Sequence, residues 1–141
     1  MPNPTIRIAT QPAESDRQAI IEALVSYNNR AGGPSNYQPI AILIQDESGA
    51  TVGGLWGKTV YDWLFVELFV VPESLRRQKL GSQILAQAEG IARQRGCIGV
   101  WLDTYDFQAR GFYERCGYHL FGTIDDHPRN GRRFFLKKRL A

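Results

Sequence analysis

Three groups of residues in this 141-residue chain have the types and spacing to do chemistry. The first is the basic run Arg76, Arg77, Gln78 and Lys79, followed by Leu80, Gly81 and Ser82 at the start of a helical pattern. Unpaired amides at a helix start, backed by the positive end of the helix dipole, bind phosphate-bearing ligands. The second is Glu67, a lone carboxylate inside the apolar stretch WLFVELFVV at residues 63–71. An unpaired charge in a buried strand is costly, so Glu67 is expected to line something wet or functional. The third is Asp103, Tyr105 and Asp106, at the end of a second apolar strand. That is the edge at which crevices of α/β sheets bind ligands. Glu67 with Asp103 suits a cationic amine, and Tyr37, Trp56 and Trp63 are candidate aromatic walls.

Composition narrows the classes. The formal net charge is +3, and the 17 basic residues are dispersed apart from Arg76-Arg77, Arg132-Arg133 and Lys137-Lys138-Arg139. Charges at a strand end usually form a solvated face, and no nucleic-acid motif accompanies them, so no nucleic-acid partner is expected. No apolar run approaches ~20 residues and no signal peptide is visible, so a soluble, cytoplasmic protein without a membrane partner is expected. Cys97 and Cys116 match no metal spacing and read as core thiols of a reducing compartment. His127 after Asp125-Asp126 is too sparse for a metal site, so none is expected.

The elements that must position these residues can be read in order. Residues 5–9 alternate like a short strand. A helix follows, with Ala19, Ile20, Ala23, Leu24 and Tyr27 at helical spacing. Residues 28–39, rich in Asn, Gly, Ser and Pro, read as a loop and a candidate acceptor-binding segment. Residues 39–45, 51–60 and 63–71 form three antiparallel strands, with Gly53-Gly54 marking a bulge or a close backbone approach. The helix from about Leu80 carries Leu80, Ile84, Leu85, Ala88, Ile91 and Ala92 on its inner stripe, with Gly96 as its stop. The strand at 97–103 should then lie parallel to 63–71 through a right-handed crossover. A helix over 107–116 is expected to be capped by Asp106 and stopped at Gly117. A hairpin of 118–124 and 132–140 closes a single domain spanning residues 1–141.

The element order, the loop at 76–81 and a second motif resemble the GCN5-related N-acetyltransferase (GNAT) superfamily over nearly the whole chain. The loop matches the family's Arg/Gln-x-x-Gly-x-Gly/Ala pattern, with Lys79 in place of the first glycine. The second motif, Asn-x-x-Ala-x-x-x-Tyr then Glu-x-x-Gly-Tyr, is matched by Asp106, Ala109 and Tyr113, then Glu114, Gly117 and Tyr118. Lys79 is tolerated if its backbone is right-handed, which is the conformation expected here. Asp106 replaces asparagine and would put a negative charge near the pantetheine arm.

The resemblance implies an α/β (α+β) fold: a mixed, mostly antiparallel twisted sheet of six to seven strands, a parallel, splayed central pair and about four helices. It implies acetyl-CoA as co-substrate and acetyl transfer to an amine by direct attack in a ternary complex. The pyrophosphate would sit on the amides of Arg77 to Ser82, with charge from Arg76, Arg77 and Lys79. The pantetheine would pair with the backbone of Leu68, Phe69, Val70 and Val71, and Asp106, Ala109 and Phe112 complete the coenzyme set. Val70 or Val71 would supply an oxyanion-binding amide. Tyr113 would be the acid that protonates the leaving thiolate, and Glu67 is the candidate base. A non-catalytic acyl-CoA-binding module is the alternative. The acceptor stays open among polyamines, aminoglycoside-like drugs, amino acids and protein amines, and so does a homodimer.

Overall fold

The computed structural model describes residues 3–141. Two compact units are present, one reaching to Ser35 and one from Asn36 to Ala141. The first contains helix α1 (Glu14–Gly32), whose start is held by the Asp16 carboxylate accepting the Ala13 N–H at 3.0 Å. Two expectations fail here. Residues 5–9 pair with no strand, and Ile6 and Ile8 stand fully or almost fully exposed. Residues 28–32, expected in a loop, continue α1 instead.

The second unit is a six-stranded sheet with two further helices. Its strands are β1 (Gln38–Gln45), β2 (Thr51–Val60), β3 (Trp63–Val70), β4 (Gly99–Tyr105), β5 (His119–Asp125) and β6 (Arg132–Arg139). Their spatial order is β1-β2-β3-β4-β6-β5, and only β3 and β4 are parallel. Helix α2 (Leu80–Gln94) makes the crossover between them, and α3 (Arg110–Arg115) follows β4. The described chain thus has three α-helices and one 3-10 turn, Glu73–Leu75, rather than four helices.

One core holds this unit. Leu64, Val66, Val100, Leu102 and Leu136 from the sheet cluster with Ile84, Leu85, Ala88 and Ala92 from α2. Fully burying one such side chain contributes about 1.5–3 kcal/mol. The stripe ends where Gly96, at φ +78°, turns the chain: its N–H donates to Arg93 and that of Cys97 to Ala92. That pairing satisfies the last carbonyls of α2 and aims the chain into β4. One charged residue lies inside. Glu89 of α2 accepts the Tyr118 hydroxyl at 2.8 Å and pairs with Lys138 of β6 at 2.9 Å. Lys138 also donates to the Cys116 carbonyl, so α2, β6 and the end of α3 are tied at one point.

Candidate active site

The site forms where the two parallel strands part. Pairing between β3 and β4 runs from Trp63↔Gly99 to Val66↔Leu102 and stops. Beyond it β3 stays on β2, with Trp56↔Leu68, Leu55↔Phe69 and Gly54↔Val70, while β4 stays on β6 as far as Tyr105↔Arg133. The edge of β3 from Leu68 onward therefore faces a gap. Its backbone donors and acceptors on that side suit an extended, peptide-like ligand.

A bulge sits at the same point. On β2, Gly57 pairs with Val66 but the preceding Trp56 pairs with Leu68, so Glu67 is the extra residue. Strict alternation would put Phe65, Glu67 and Phe69 on one face. The bulge breaks it: Val66 is buried, Glu67 and Leu68 are exposed, and Phe69 packs against the core. Backbone crowding nearby fits the glycines. A Cβ on Gly53 would lie 2.7 Å from the Val70 carbonyl, and one on Gly54 would strike the Ile42 carbonyl.

The loop before α2 supplies the second part. Among the described residues, the amides from Arg77 to Ser82 donate to no acceptor in the chain, and the first intrahelical bond is Gln83 N–H to the Lys79 carbonyl. The Arg76 Nε donates to the Val71 carbonyl at 3.2 Å, tying the loop to the end of β3. Arg77 and Lys79 are both left-handed, at φ +73° and +62°. The expected right-handed backbone at Lys79 is thus wrong. The position has the conformation a glycine would take, and lysine holds it at a cost of about 1–2 kcal/mol.

Helix α3 supplies the third. It begins at Arg110, later than expected, because the chain after β4 is held in a turn. The Gln108 Oε1 accepts the Tyr105 N–H at 2.7 Å, and the Gln108 N–H returns to the Tyr105 carbonyl. Asp106 is no helix cap: its Oδ2 accepts the Arg132 N–H at 2.9 Å, and exposed Ala109 takes the cap position. The Asp106 carboxylate therefore ties the turn to the start of β6 rather than capping α3. Phe112 lies against the start of α2, where a Cβ on Gly81 would sit 3.3 Å from its ring and 3.7 Å from Val71. Phe69 packs edge-on to Phe112, at 6.1 Å, and near Tyr113, at 6.4 Å. The Tyr113 hydroxyl has no hydrogen-bond partner in the described chain. Burial, helped by nearby Asp103 and Cys116, pushes its phenol up to about 12. Val71, Gly81 and Phe112, expected at the coenzyme, are thus brought together with Phe69, beside Tyr113.

The sheet face away from α2 carries the acceptor candidates. Glu67 meets Lys58 of β2 at 3.7 Å, both about one-third exposed. Phe65 stacks on Trp101 at 4.0 Å, and Asp103 holds Arg133 at 2.7 Å. Lys58 and Arg133 were not foreseen; Arg133 holds the Asp103 carboxylate closely, while Lys58 stands 3.7 Å from a Glu67 carboxylate that stays open to solvent. Trp56 lies beside the bulge, across from Leu68. Trp63 and Tyr37 do not join it. Trp63 packs over Gly99 at the start of the parallel pair, roughly 16 Å along β3 from Leu68, and Tyr37 precedes β1 at that same end. Burial raises both cysteine thiols above their ordinary value. No cluster of metal-ligating side chains occurs among the described residues.

The Acetyltransferase (GNAT) family model matches residues 8–118. The chain belongs to that family. It is 39% identical over 112 residues to Acetyltransferase Atu2258 of Agrobacterium fabrum, covering 79% of this chain and 81% of that one. It is 47% identical over 83 residues to a Blasticidin-S acetyltransferase of Streptomyces morookaense, covering 58% of this chain and 61% of that one. The crystal structure of an acetyltransferase from Agrobacterium tumefaciens superposes with a TM-score of 0.91 at 33% identity, over 96% of this chain and 99% of that one. These likenesses decide between the enzyme and the non-catalytic module. The GNAT chain is an N-acetyltransferase with acetyl-CoA as co-substrate.

Proposed function

We propose that the acceptor is the primary amine of a small cationic molecule, acetylated by direct attack while acetyl-CoA is bound. The observation that carries this is the parting of β3 from β4 between a loop of unpaired amides and the free Tyr113 hydroxyl. The Arg77–Ser82 amides take the pyrophosphate. The open edge at Leu68, Phe69, Val70 and Val71 takes the pantetheine. The thioester then lies in the gap, with the backbone amide of Val70 or Val71, at the end of β3, facing its oxygen.

An alkyl ammonium, of pKa ~10, must first lose a proton, and Glu67 accepts it directly or through water. The amine nitrogen attacks the thioester carbon and forms a C–N bond. The tetrahedral intermediate collapses: the C–S bond breaks, the sulfur takes a proton with Tyr113 as donor, and the second proton shed by the new amide nitrogen restores the phenol through water. The small-molecule acceptor is supported by the Blasticidin-S acetyltransferase likeness and by the exposed carboxylate at the bulge. The family match from residue 8 to residue 118 runs across both compact units, which supports one catalytic domain. Free cysteines support a reducing, cytoplasmic setting.

The test is a panel of primary amines followed by thiol release from acetyl-CoA, beside a melting curve with the coenzyme. A coenzyme-dependent rise in Tm with thiol release from small cationic amines is expected. A Tm unmoved by millimolar acetyl-CoA, or transfer confined to protein amines, refutes it.

A further inference from the structure

We infer that the acceptor carries a flat aromatic or heteroaromatic ring, and that this ring stacks on the open face of Phe107. The inference rests on the acetyl-transfer reading and names the part of the acceptor remote from its amine. Phe107 follows β4 directly and is 70% exposed. A lone exposed phenylalanine means little. This one is the outer layer of a built stack. Its ring lies parallel to that of Tyr105, 5.3 Å away and tilted by 6°. Tyr105 is fixed in turn by the edge of His127, at 5.4 Å, and by the Arg133 guanidinium, at 5.4 Å. Asp103 holds Arg133.

His127 adds an independent sign. Its Nδ1 is shut off from solvent and has no hydrogen-bond partner. His127 thus has its ring edge against Tyr105 and its Nδ1 closed to solvent. A pre-ordered ring binds a planar partner with little further loss of side-chain freedom. Aromatic faces accept flat rings through offset stacking.

Position fits the acceptor. Tyr105 is three residues past Leu102, the last partner of β3, and Glu67 is one past Val66 on the other arm. Strand rise puts the two ends on the order of 10 Å apart. The acceptor then spans from an ammonium at Glu67 to a ring at Phe107.

The test compares 6-phenylhexylamine with 6-cyclohexylhexylamine. Both carry the same ammonium on a chain of matching length, and only one ring is flat. The cyclohexyl ring buries at least as much apolar area, so burial alone gives the phenyl amine no advantage. Both kcat/KM, from thiol release, and affinity for the coenzyme A-loaded enzyme, from calorimetry, are measured. A phenyl preference of about tenfold is expected, falling to near one in Phe107→Leu, while the acetyl-CoA-induced rise in Tm persists in that variant. Equal affinities, no measurable affinity for either amine, or a preference that survives Phe107→Leu overturns the inference. If acetyl-CoA raises Tm but neither amine is acetylated, the transfer reading fails separately and calorimetry still decides the stacking.

Discussion

Replacing Tyr113 by phenylalanine isolates one hydroxyl. The ring packs against Phe112, Phe69 and Tyr118, and phenylalanine keeps all three contacts. The hydroxyl bonds to nothing in the described chain, so its removal should leave Tm within about 2 °C of the parent. Its chemical effect is larger and can be bounded. The phenol is raised to about 12, against a thiol value of ~8.5, so complete transfer to a relaxed thiolate is uphill by about 5 kcal/mol. Tyr113 therefore acts chiefly by donating a hydrogen bond to the sulfur as charge develops, with the proton following as the C–S bond breaks. A hydrogen bond to a charged group contributes about 1.5–3 kcal/mol. That corresponds to a fall in kcat of roughly 10- to 150-fold, at the low end of general acid catalysis. The assay is steady-state thiol release with acetyl-CoA varied at saturating amine. KM for acetyl-CoA should move less than about threefold. In the parent, no loss of rate from this group should occur below about pH 11, because the phenol stays protonated. Parent-like turnover in Tyr113→Phe refutes the role. So does a rise in KM that accounts for the whole change in kcat/KM.

Glu67→Gln should lower the rate most at low pH, where the amine is hardest to deprotonate; an unaltered pH–rate profile excludes Glu67 as base. Lys79→Gly keeps the left-handed backbone and should retain the acetyl-CoA-induced rise in Tm, whereas Lys79→Val, β-branched at φ +62°, should lose most of it. Equal behaviour of the two would show that the backbone conformation is immaterial. Tyr118→Phe removes the hydrogen bond to buried Glu89 and should cost about 2 kcal/mol, seen as a fall in Tm of about 6 °C by calorimetry. Burial first, and Glu89 second, hold the Tyr118 phenol well above its ordinary value. The unfolded chain ionises near pH ~10 while the folded one keeps its proton, so stability is full below that pH and falls as pH rises through the folded value. The alkaline fall in Tm should be shallower in Tyr118→Phe.

Much of the architecture was legible because it follows from local pattern. Alternation and short turns mark the β1–β2–β3 meander, and the apolar stripe from Ile84 to Ala92, ending at Gly96, marks the crossover that makes β4 parallel to β3. What could not be read depends on partners distant in sequence. Both faces of residues 63–71 look apolar, so nothing local reveals that Glu67 is an extra residue; only the pairing of Trp56 with Leu68 does. Asp106 before a helical pattern reads as a cap, yet the Arg132 amide, brought alongside by β6, takes its carboxylate. Trp63 and Tyr37 have the right chemistry for a pocket wall but belong to the closed end of the sheet. Lys79 shows the same limit in one residue: its conformation is set by the loop tied down through Arg76 to Val71, and its side chain gives no hint of it.

These failures share a cause that bears on function. The site is built where regular pairing ends, at one bulge and one parting of strands. Residues that keep the sheet regular are predictable from period and propensity, because each reports its own environment. Residues at the break report an environment made by β2, β4 and β6 together. Substitutions that restore regularity should therefore harm catalysis before they harm folding. Deleting Glu67 outright would bring Leu68 into the place left after Val66, remove the bulge and extend the β3–β4 pairing. Such a chain should melt at or above the parent temperature, yet gain no Tm from acetyl-CoA. A deletion that still binds the coenzyme would show that the gap does not depend on the bulge.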